Sequence, residues 1–302
     1  MWAHVVAHFR TFLDNLELSP FERVDAEDKA RRVARCLWQR YYLGEFSPGS
    51  YLIAGSYGKK TACRPPSDLD VLFLLPPQLL DRVERFSGNR QSQLLQQVKL
   101  ALLDTFPNTE LRADGQVVVA PFQSYSVDVA PAFWRGDGTY LICNTAEGGS
   151  WKITNPAAER QLIRESDLAT GGKATDLIKM LKSWKATCSV EIKSVSLEVL
   201  ACVFVNRWAY RDKSLFWYDW LVRDFFEFMR FYKNGWTAIV GTEERIELGD
   251  NWWTKCETAY DRALKACRYE TADLELEAAL EWQKIFGVQF PRFRRLAAAM
   301  SA

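Results

Sequence analysis

The chain has 302 residues, which is enough for one large domain or for two domains of ordinary size. Its composition, 48% hydrophobic and 25% charged, is that of a folded globular protein and argues against extensive disorder. The 39 basic and 38 acidic residues leave a net charge of +1, which argues against a protein that coats nucleic acid nonspecifically. The longest apolar run, residues 199–205, is too short for a transmembrane helix, which needs about 20 residues.

The cysteines and histidines argue against several further classes of site. The chain contains seven cysteines, an odd number, and no two of them form a CxxC pair. Because residues 1–12 also lack an apolar signal core, we expect reduced thiols and a cytoplasmic protein. The two histidines, His4 and His8, lie at the beginning of the chain, so neither a His-based zinc site nor a Ser-His-Asp triad is expected.

The first half of the chain alternates helical and strand-like segments. Apolar spacing predicts helices over residues 5–42, interrupted at Ser19-Pro20, and over residues 91–106. Period-2 patterns and turn residues predict strands at residues 51–54, 67–75, 109–112, 116–120, 124–129 and 140–143. Asp114-Gly115 is a strong signal for a hairpin turn.

The second half has helical periodicity almost throughout. The predicted helices cover residues 157–168, 173–188, 195–210, 215–232, 251–269 and 273–286. We therefore predict an α+β first domain, residues 1–150, and an all-helical second domain, residues 151–302.

Two acidic residues at the beginning of a predicted strand are the first candidates for catalysis. Alternate residues of a strand point to the same face, so Asp68 and Asp70 project together while Leu69, Val71 and Phe73 turn to the buried side. Two carboxylates this close repel each other unless a cation lies between them. Carboxylate oxygens suit Mg²⁺, and two such ions about 4 Å apart can activate a hydroxyl and stabilise a leaving pyrophosphate.

A third carboxylate is available on a later strand. In the stretch 124–129, Asp128 shares one face with Ser124 and Ser126, and the apolar residues between them point inward. Asp128 is a plausible neighbour of the Asp68 strand, although an exposed Asp near a strand end would give the same pattern.

Gly55 and Ser56 follow the first predicted strand and are candidates for phosphate binding. A glycine there permits a tight turn and a close backbone approach. If Ser56 opens a helix, its hydroxyl and the first free amides point toward one position that favours an anion. A Gly-Ser pair followed eleven residues later by Ser-Asp-x-Asp on an apolar strand is a specific pattern.

These motifs together resemble the signature of a known superfamily. The residues occur in the family's order: Gly55, Ser56, Thr61, Asp68, Asp70 and Asp128. The superfamily contains DNA polymerase β, poly(A) polymerases, oligoadenylate synthases and cyclic GMP-AMP synthase. The chain resembles in particular the bacterial cGAS/DncV-like nucleotidyltransferases (CD-NTases) of anti-phage signalling operons (CBASS). The resemblance implies a polymerase-β-like core with an N-terminal spine helix, followed by a helical domain, with a cleft between the two.

The second half carries weaker parts of the same resemblance. By likeness to the family, Lys182 is expected to reach the donor triphosphate, with Lys179 as the reserve candidate, and Ser194 to contact phosphate. The alternative is that both lysines are ordinary surface residues. Several relatives stack the nucleobase on an aromatic residue directly after that serine, but here the position is Val195, so the base platform is left open. A His/Cys zinc thumb is absent, so activation by long DNA is not expected.

The implied activity is synthesis of cyclic di- or trinucleotide second messengers from nucleoside triphosphates, including ATP, with release of pyrophosphate. The implied cofactor is Mg²⁺, as two ions held by Asp68, Asp70 and Asp128, with Mn²⁺ as an acceptable substitute. The expected protein is a monomer that binds no membrane and no long nucleic acid, and its product, rather than the chain itself, binds a downstream effector. A linear, oligoadenylate-synthase-like enzyme, another template-independent nucleotidyltransferase and an inactive nucleotide-binding scaffold remain alternatives.

Overall fold

The computed structural model describes residues 3–66 and 68–293, so Ser67 of the predicted catalytic strand lies outside the described residues. Contacts divide the chain into two units. The sheet unit comprises Leu18–Arg160, and the helical unit comprises Met1–Glu17 together with Gln161–Ala302. Among the described residues, no helix has the length and apolar character required to cross a membrane.

The helices and strands are numbered in chain order. The helices are α1 (Ala3–Leu16), α2 (Pro20–Tyr41), α3 (Gly55–Gly58), α4 (Pro77–Val83), α5 (Arg90–Leu103), α6 (Pro156–Thr170), α7 (Lys173–Thr187), α8 (Ser194–Arg207), α9 (Tyr218–Met229), α10 (Trp253–Thr271) and α11 (Glu275–Phe286). The strands are β1 (Tyr51–Ile53), β2 (Leu69–Leu74), β3 (Arg112–Asp114), β4 (Val117–Pro121), β5 (Ser126–Trp134), β6 (Tyr140–Asn144), β7 (Ser150–Thr154), β8 (Trp236–Ala238) and β9 (Arg245–Glu247). Short 3₁₀ turns connect several of them. The α+β first half and the predicted long helices are therefore confirmed.

The sheet of the first half is built around one parallel pair of strands. Its order is β1-β2-β5-β4-β3, and β6 and β7 extend it from the far part of β5. Strands β2 and β5 are parallel, and the other neighbours are antiparallel. The parallel register places Asp70 directly beside Asp128. The predicted hairpin turn is confirmed between β3 and β4, where Gly115 has a φ of +57°.

The two faces of this sheet have different surroundings. Leu69, Val71 and Phe73 are fully buried on one face, in a core that includes residues of α2 and α5. The alternation of side chains along β2 then leaves Asp70 on the other face, together with Asp128 of β5. The alternation of side chains predicted for β2 is therefore the alternation that the fold uses.

The interruption at Ser19-Pro20 separates two helices with different packing. Ser19 caps α2, because its hydroxyl accepts a hydrogen bond from the Glu22 amide while the Glu22 carboxylate accepts one from the Ser19 amide. Helix α1 belongs to the helical unit, where the Phe9 ring lies 5.4 Å from the Trp282 ring. Both helices lie in the predicted first domain, residues 1–150, and the boundary at residue 150 stays a prediction.

Four short elements, β7, β8, β9 and α4, differ from the sequence-based expectation. The second half is not entirely helical, because β8 and β9 form a two-stranded antiparallel sheet. Its residues Thr237 and Ile246 are buried, and the Arg245 guanidinium lies 4.0 Å from the centre of the Trp236 ring. Strands of three residues are too short to produce a periodic signal. Strand β7 extends the first sheet beyond residue 150, and α4 begins at Pro77, where the sequence indicated only a strand end.

Candidate active site

Three carboxylates lie on one face of the β2–β5 pair. Asp70 and Asp128 are register partners, and Asp68 lies directly before β2, two residues from Asp70. The Ser126 hydroxyl donates a hydrogen bond to Asp68 Oδ1 at 2.5 Å and lies 3.4 Å from Asp128 Oδ1. Two of the three carboxylates therefore meet at one hydroxyl, which reduces their mutual repulsion when no cation lies between them.

This group of oxygens fits a hard divalent cation. In the described part of the chain, no three His, Cys, Asp or Glu side chains already converge as a metal-binding cluster. Mg²⁺ does not require such a cage, because it keeps several waters and is commonly bound by one or two carboxylates plus substrate phosphates. Asp68, Asp70 and Asp128 provide only oxygen donors, so they are suitable candidate ligands for Mg²⁺ or Mn²⁺.

The turn after β1 packs directly against Asp70. Gly55 has a φ of +54°, and a Cβ atom built there would lie 1.7 Å from Asp70 Oδ2. The Ala54 amide also donates a hydrogen bond to the Asp70 carbonyl at 2.9 Å. Glycine is thus required at position 55 by both backbone conformation and space. Ser56, the next residue, lies in α3, a helix of four residues that begins at Gly55 rather than at Ser56.

The segment that joins α3 to β2 is tied to the rest of the sheet unit by two ion pairs. Lys59 Nζ lies 2.7 Å from Glu159 Oε2, and both side chains are largely buried. Arg64 Nη2 lies 2.8 Å from Glu22 Oε2 at the start of α2. The Thr61 amide donates to the Ser56 carbonyl at 2.9 Å, and Thr61 is fully buried. These contacts hold the Gly-Ser turn and the beginning of β2 in place.

Neither predicted lysine of α7 is an ordinary surface residue. Lys179 pairs with Glu17, and only 6% of its side chain is exposed. Lys182 Nζ lies 2.8 Å from Glu198 Oε1 of α8, with 15% of the lysine side chain exposed. Lys179 is thus part of the packing between α7 and the end of α1, while Lys182 faces α8.

Ser194, the third predicted residue of the helical unit, begins α8. Its hydroxyl accepts a hydrogen bond from Lys185 Nζ at 3.0 Å. The N-terminal amides of α8 have no side-chain cap. The structure thus brings Lys182 and Ser194 to the same pair of helices and adds Lys185, which the sequence analysis did not select.

One comparison decides the family. The sequence pattern of the family described as "Second Messenger Oligonucleotide or Dinucleotide Synthetase domain" (SMODS) matches residues 4–167, more than half of the chain. The chain belongs to this family. SMODS proteins are nucleotidyltransferases, so the predicted enzyme class and the resemblance to CD-NTases are confirmed.

Individual relatives agree with this assignment. A probable cyclic nucleotide synthase from Bacillus cereus strain VD146 is 22% identical over 277 residues, covering 78% of this chain and 81% of that protein. The Escherichia coli MS115-1 CdnC structure with ATP has a TM-score of 0.64 at 17% identity and covers 95% of this chain and 98% of that chain. The Vibrio cholerae DncV structure with a linear intermediate has a TM-score of 0.70 at 12% identity and covers 92% of this chain and 93% of that chain. These two likenesses confirm the fold class.

Three residues of this SMODS protein that contact the predicted site residues were not themselves predicted from the sequence. Ser126 was noted only as a small polar neighbour of Asp128, and its hydrogen bond to Asp68 depends on the β2–β5 pairing. Lys185 is three residues after Lys182 on the same helix, a spacing that could have signalled a shared face. Glu198 is buried inside an apolar helix, and a lone acid in that position is a signal for a buried ion pair.

Proposed function

We propose that this SMODS protein joins nucleoside triphosphates, ATP among them, into a cyclic di- or trinucleotide and releases pyrophosphate. The observation that carries the proposal is the alignment of Asp68, Asp70 and Asp128 on one sheet face, with the Gly55 turn packed against Asp70. The cyclic product is further supported by the B. cereus relative, whose name describes a cyclic nucleotide synthase.

Each carboxylate has a distinct role in this proposal. Asp68 and Asp70 hold two Mg²⁺ ions, with Asp128 as a further ligand of one of them and Mn²⁺ as an acceptable substitute. When bound, the metal supplies positive charge that offsets the triphosphate and lowers the pKa of a ribose hydroxyl. Asp128 accepts the proton of that hydroxyl at a carboxylate oxygen, and the ribose oxygen then displaces pyrophosphate from the α-phosphate.

Ser56, Lys182 and Ser194 are the residues proposed to bind the triphosphate. The Gly55 turn allows close approach of the backbone, and the Ser56 hydroxyl donates to a phosphate oxygen. Lys182 offers a compact positive charge, and Ser194 a hydroxyl at the beginning of α8. The roles of Ser56, Lys182 and Ser194 rest on the family resemblance together with the local contacts described above.

A single carboxylate cluster is sufficient for ring closure. Such a cluster forms one phosphodiester bond at a time, and the linear intermediate keeps its 5′-triphosphate. The intermediate can bind again with that triphosphate in the donor position, and its free ribose hydroxyl then serves as the acceptor. A second or third transfer closes the ring. The net charge of +1 favours a small product, because tracking a long polymer requires many Lys and Arg contacts.

The test incubates the protein with each nucleoside triphosphate and Mg²⁺ or Mn²⁺, then compares products before and after phosphatase by mass spectrometry. A cyclic product has no terminal phosphate, so phosphatase treatment does not change its mass. A ladder of phosphatase-sensitive oligomers would replace the proposal with linear synthesis. Absence of pyrophosphate release would favour a nucleotide-binding scaffold.

A matched pair of variants assigns the activity to the carboxylates. The Asp68→Ala/Asp70→Ala variant is expected to fold and to form no product. An Asp28→Ala/Asp81→Ala variant removes the same charge from exposed positions of α2 and α4 and is expected to keep wild-type activity. Retained product formation by the folded Asp68/Asp70 variant would contradict the site.

The biological setting is proposed on the family resemblance. The messenger acts in bacterial anti-phage signalling, where a separate effector binds the product. The enzyme itself is proposed to act as a cytoplasmic monomer.

A further inference from the structure

A cleft of about 750 Å³ lies in the sheet unit between α2, α4 and α5. Clefts of about 300–1,000 Å³ are the usual size of small-molecule sites. Tyr41, at the end of α2, lines this cleft and packs against Phe73 of β2, with 6.4 Å between the ring centres. Phe73 is on the buried face of the sheet, opposite Asp70. A ligand of the cleft would therefore bind apart from the candidate active site.

Two arginines that line the cleft have no acidic partner in the described part of the chain. Neither Arg40 nor Arg82 forms an ion pair or a side-chain hydrogen bond with a described residue. By contrast, Arg90 at the beginning of α5 pairs with Glu84. A guanidinium is a planar set of donors that matches the oxygens of a phosphate or a carboxylate. The cleft therefore offers two cationic groups to an anion.

The Tyr41 hydroxyl is a third donor near these charges. Burial raises the pKa of this hydroxyl to about 12, while the charges of Arg40 and Arg82 act in the opposite direction. The hydroxyl therefore keeps its proton at neutral pH, and it donates to no residue that the structure describes. Because both arginines act on the same hydroxyl, the three groups lie close together. They can bind the oxygens of one anionic group.

Other lining residues suit the ring of a nucleotide. Gln78 and Gln97 carry amide groups that both donate and accept hydrogen bonds, and Asp104 accepts them from amino or hydroxyl groups. Leu79 and Leu100 supply apolar surface, and Leu100 is 61% exposed although it is hydrophobic. An inorganic anion would satisfy the arginines and leave this apolar surface uncovered. A ligand with a phosphate, a polar ring edge and a flat ring face uses all of these groups.

We propose that this cleft is a second nucleotide site, in which Arg40, Arg82 and the Tyr41 hydroxyl bind phosphate oxygens. The ligand class is a phosphate-bearing nucleotide, which is either a nucleoside triphosphate or the cyclic product. The proposal goes beyond the proposed function, because the site contains none of the three carboxylates. It depends on that function only for the choice of a cyclic dinucleotide as one probe.

The experiment measures binding of ATP, GTP and cyclic di-AMP, each separately, by equilibrium dialysis. The protein is the Asp68→Ala/Asp70→Ala variant in metal-free buffer, so that no probe is consumed. Loss of two charge-assisted contacts predicts that adding Arg40→Met/Arg82→Met weakens binding of at least one probe about 100-fold. Dependence of a triphosphate alone assigns the site to substrate, and dependence of cyclic di-AMP alone assigns it to product.

Two further variants separate specific contacts from general charge. The control Arg31→Met/Arg112→Met removes two charges from exposed side chains of α2 and β3 and is expected to bind as its parent does. Tyr41→Phe keeps the ring beside Phe73 and removes only the hydroxyl, so binding should weaken about 2- to 10-fold. Inorganic tripolyphosphate that binds as tightly as ATP would overturn the nucleotide assignment, because the ring would then add nothing.

Chemical protection locates the bound nucleotide. Phenylglyoxal modifies accessible guanidinium groups, and mass spectrometry identifies the modified arginines. With nucleotide at about 10 times its Kd, roughly one site in ten is unoccupied, so modification of Arg40 and Arg82 should slow about 10-fold while that of Arg31 is unchanged. The inference is overturned if no nucleotide binds, or if binding is independent of both arginines and leaves them unprotected.

The two proposals fail in different ways. If wild-type protein releases no pyrophosphate from any nucleoside triphosphate but nucleotide binding depends on Arg40 and Arg82, the proposed function fails and the second site stands. If wild-type protein forms product and neither arginine affects binding or is protected, the function stands and the second site fails.

Discussion

Replacing Gly55 with alanine separates the cost of a strained backbone from the cost of a displaced carboxylate. Gly55 has a φ of +54°, and an alanine in this region costs about 1–2 kcal/mol. The added Cβ would also lie 1.7 Å from Asp70 Oδ2 and 2.6 Å from its Cγ. The Asp70 side chain must therefore rotate away from the face that it shares with Asp128.

Gly115 provides a matched control. Its φ is +57°, and an added Cβ would meet no atom within 4 Å. Because a side-chain rotation relieves the contact with Asp70, the free energies of unfolding of Gly55→Ala and Gly115→Ala should differ by about 1 kcal/mol or less. Activity should differ much more, since a catalytic group displaced by about 1 Å can cost 100-fold in rate.

The assay combines urea unfolding with the initial rate of pyrophosphate release. We expect Gly115→Ala to retain near wild-type activity and Gly55→Ala to lose about 100-fold. Equal activities of the two alanine variants would refute the role assigned to the Asp70 position. A loss of several kcal/mol specific to Gly55→Ala would show instead that Asp70 cannot rotate away.

Three further predictions concern side chains near the site and in the core. Ser126→Ala should lower the free energy of unfolding by about 1 kcal/mol, measured by urea unfolding, because Asp68 loses its hydrogen bond; unchanged stability would contradict this. Lys182→Ala should slow reaction at sub-saturating nucleotide more than Lys179→Ala, and equal small losses would contradict the triphosphate role. Burial raises the pKa of Glu270 to about 8, so folded protein keeps a proton that unfolded chains release above about pH 4.5. The stability that this group contributes is therefore lost as pH rises from about 5 to 8, by at most about 1.4 kcal/mol per pH unit. The free energy of unfolding in urea should decline less with pH in Glu270→Gln than in wild type. Parallel pH profiles of the two proteins would contradict this prediction.

The local parts of the site could be predicted from the sequence because they depend on short-range rules. Alternation along one strand was enough to place Asp68 and Asp70 opposite the buried residues of β2. The break at Ser19-Pro20 likewise marks a capping box that involves only neighbours in the chain.

The parts that escaped prediction depend on distant partners. Lys179 pairs with Glu17, 162 residues away, and Lys59 with Glu159, 100 residues away. No periodicity reports which of several lysines will meet an acid across such distances. Lys182 was assigned by resemblance, but its contact with Glu198 became visible only once α7 and α8 were packed.

The parallel pairing of β2 and β5 has a consequence for when the enzyme can first act. Asp68 and Ser126 are 58 positions apart, so an unfolded or partly synthesised chain cannot hold the carboxylates together. Closing that loop costs conformational entropy, and only the contacts formed when the strands pair offset this cost. The pairing is therefore a slow, non-local step of folding. The candidate metal site therefore does not exist in intermediates that lack the pairing. A newly made chain would therefore gain this candidate metal site only after β2 and β5 have paired.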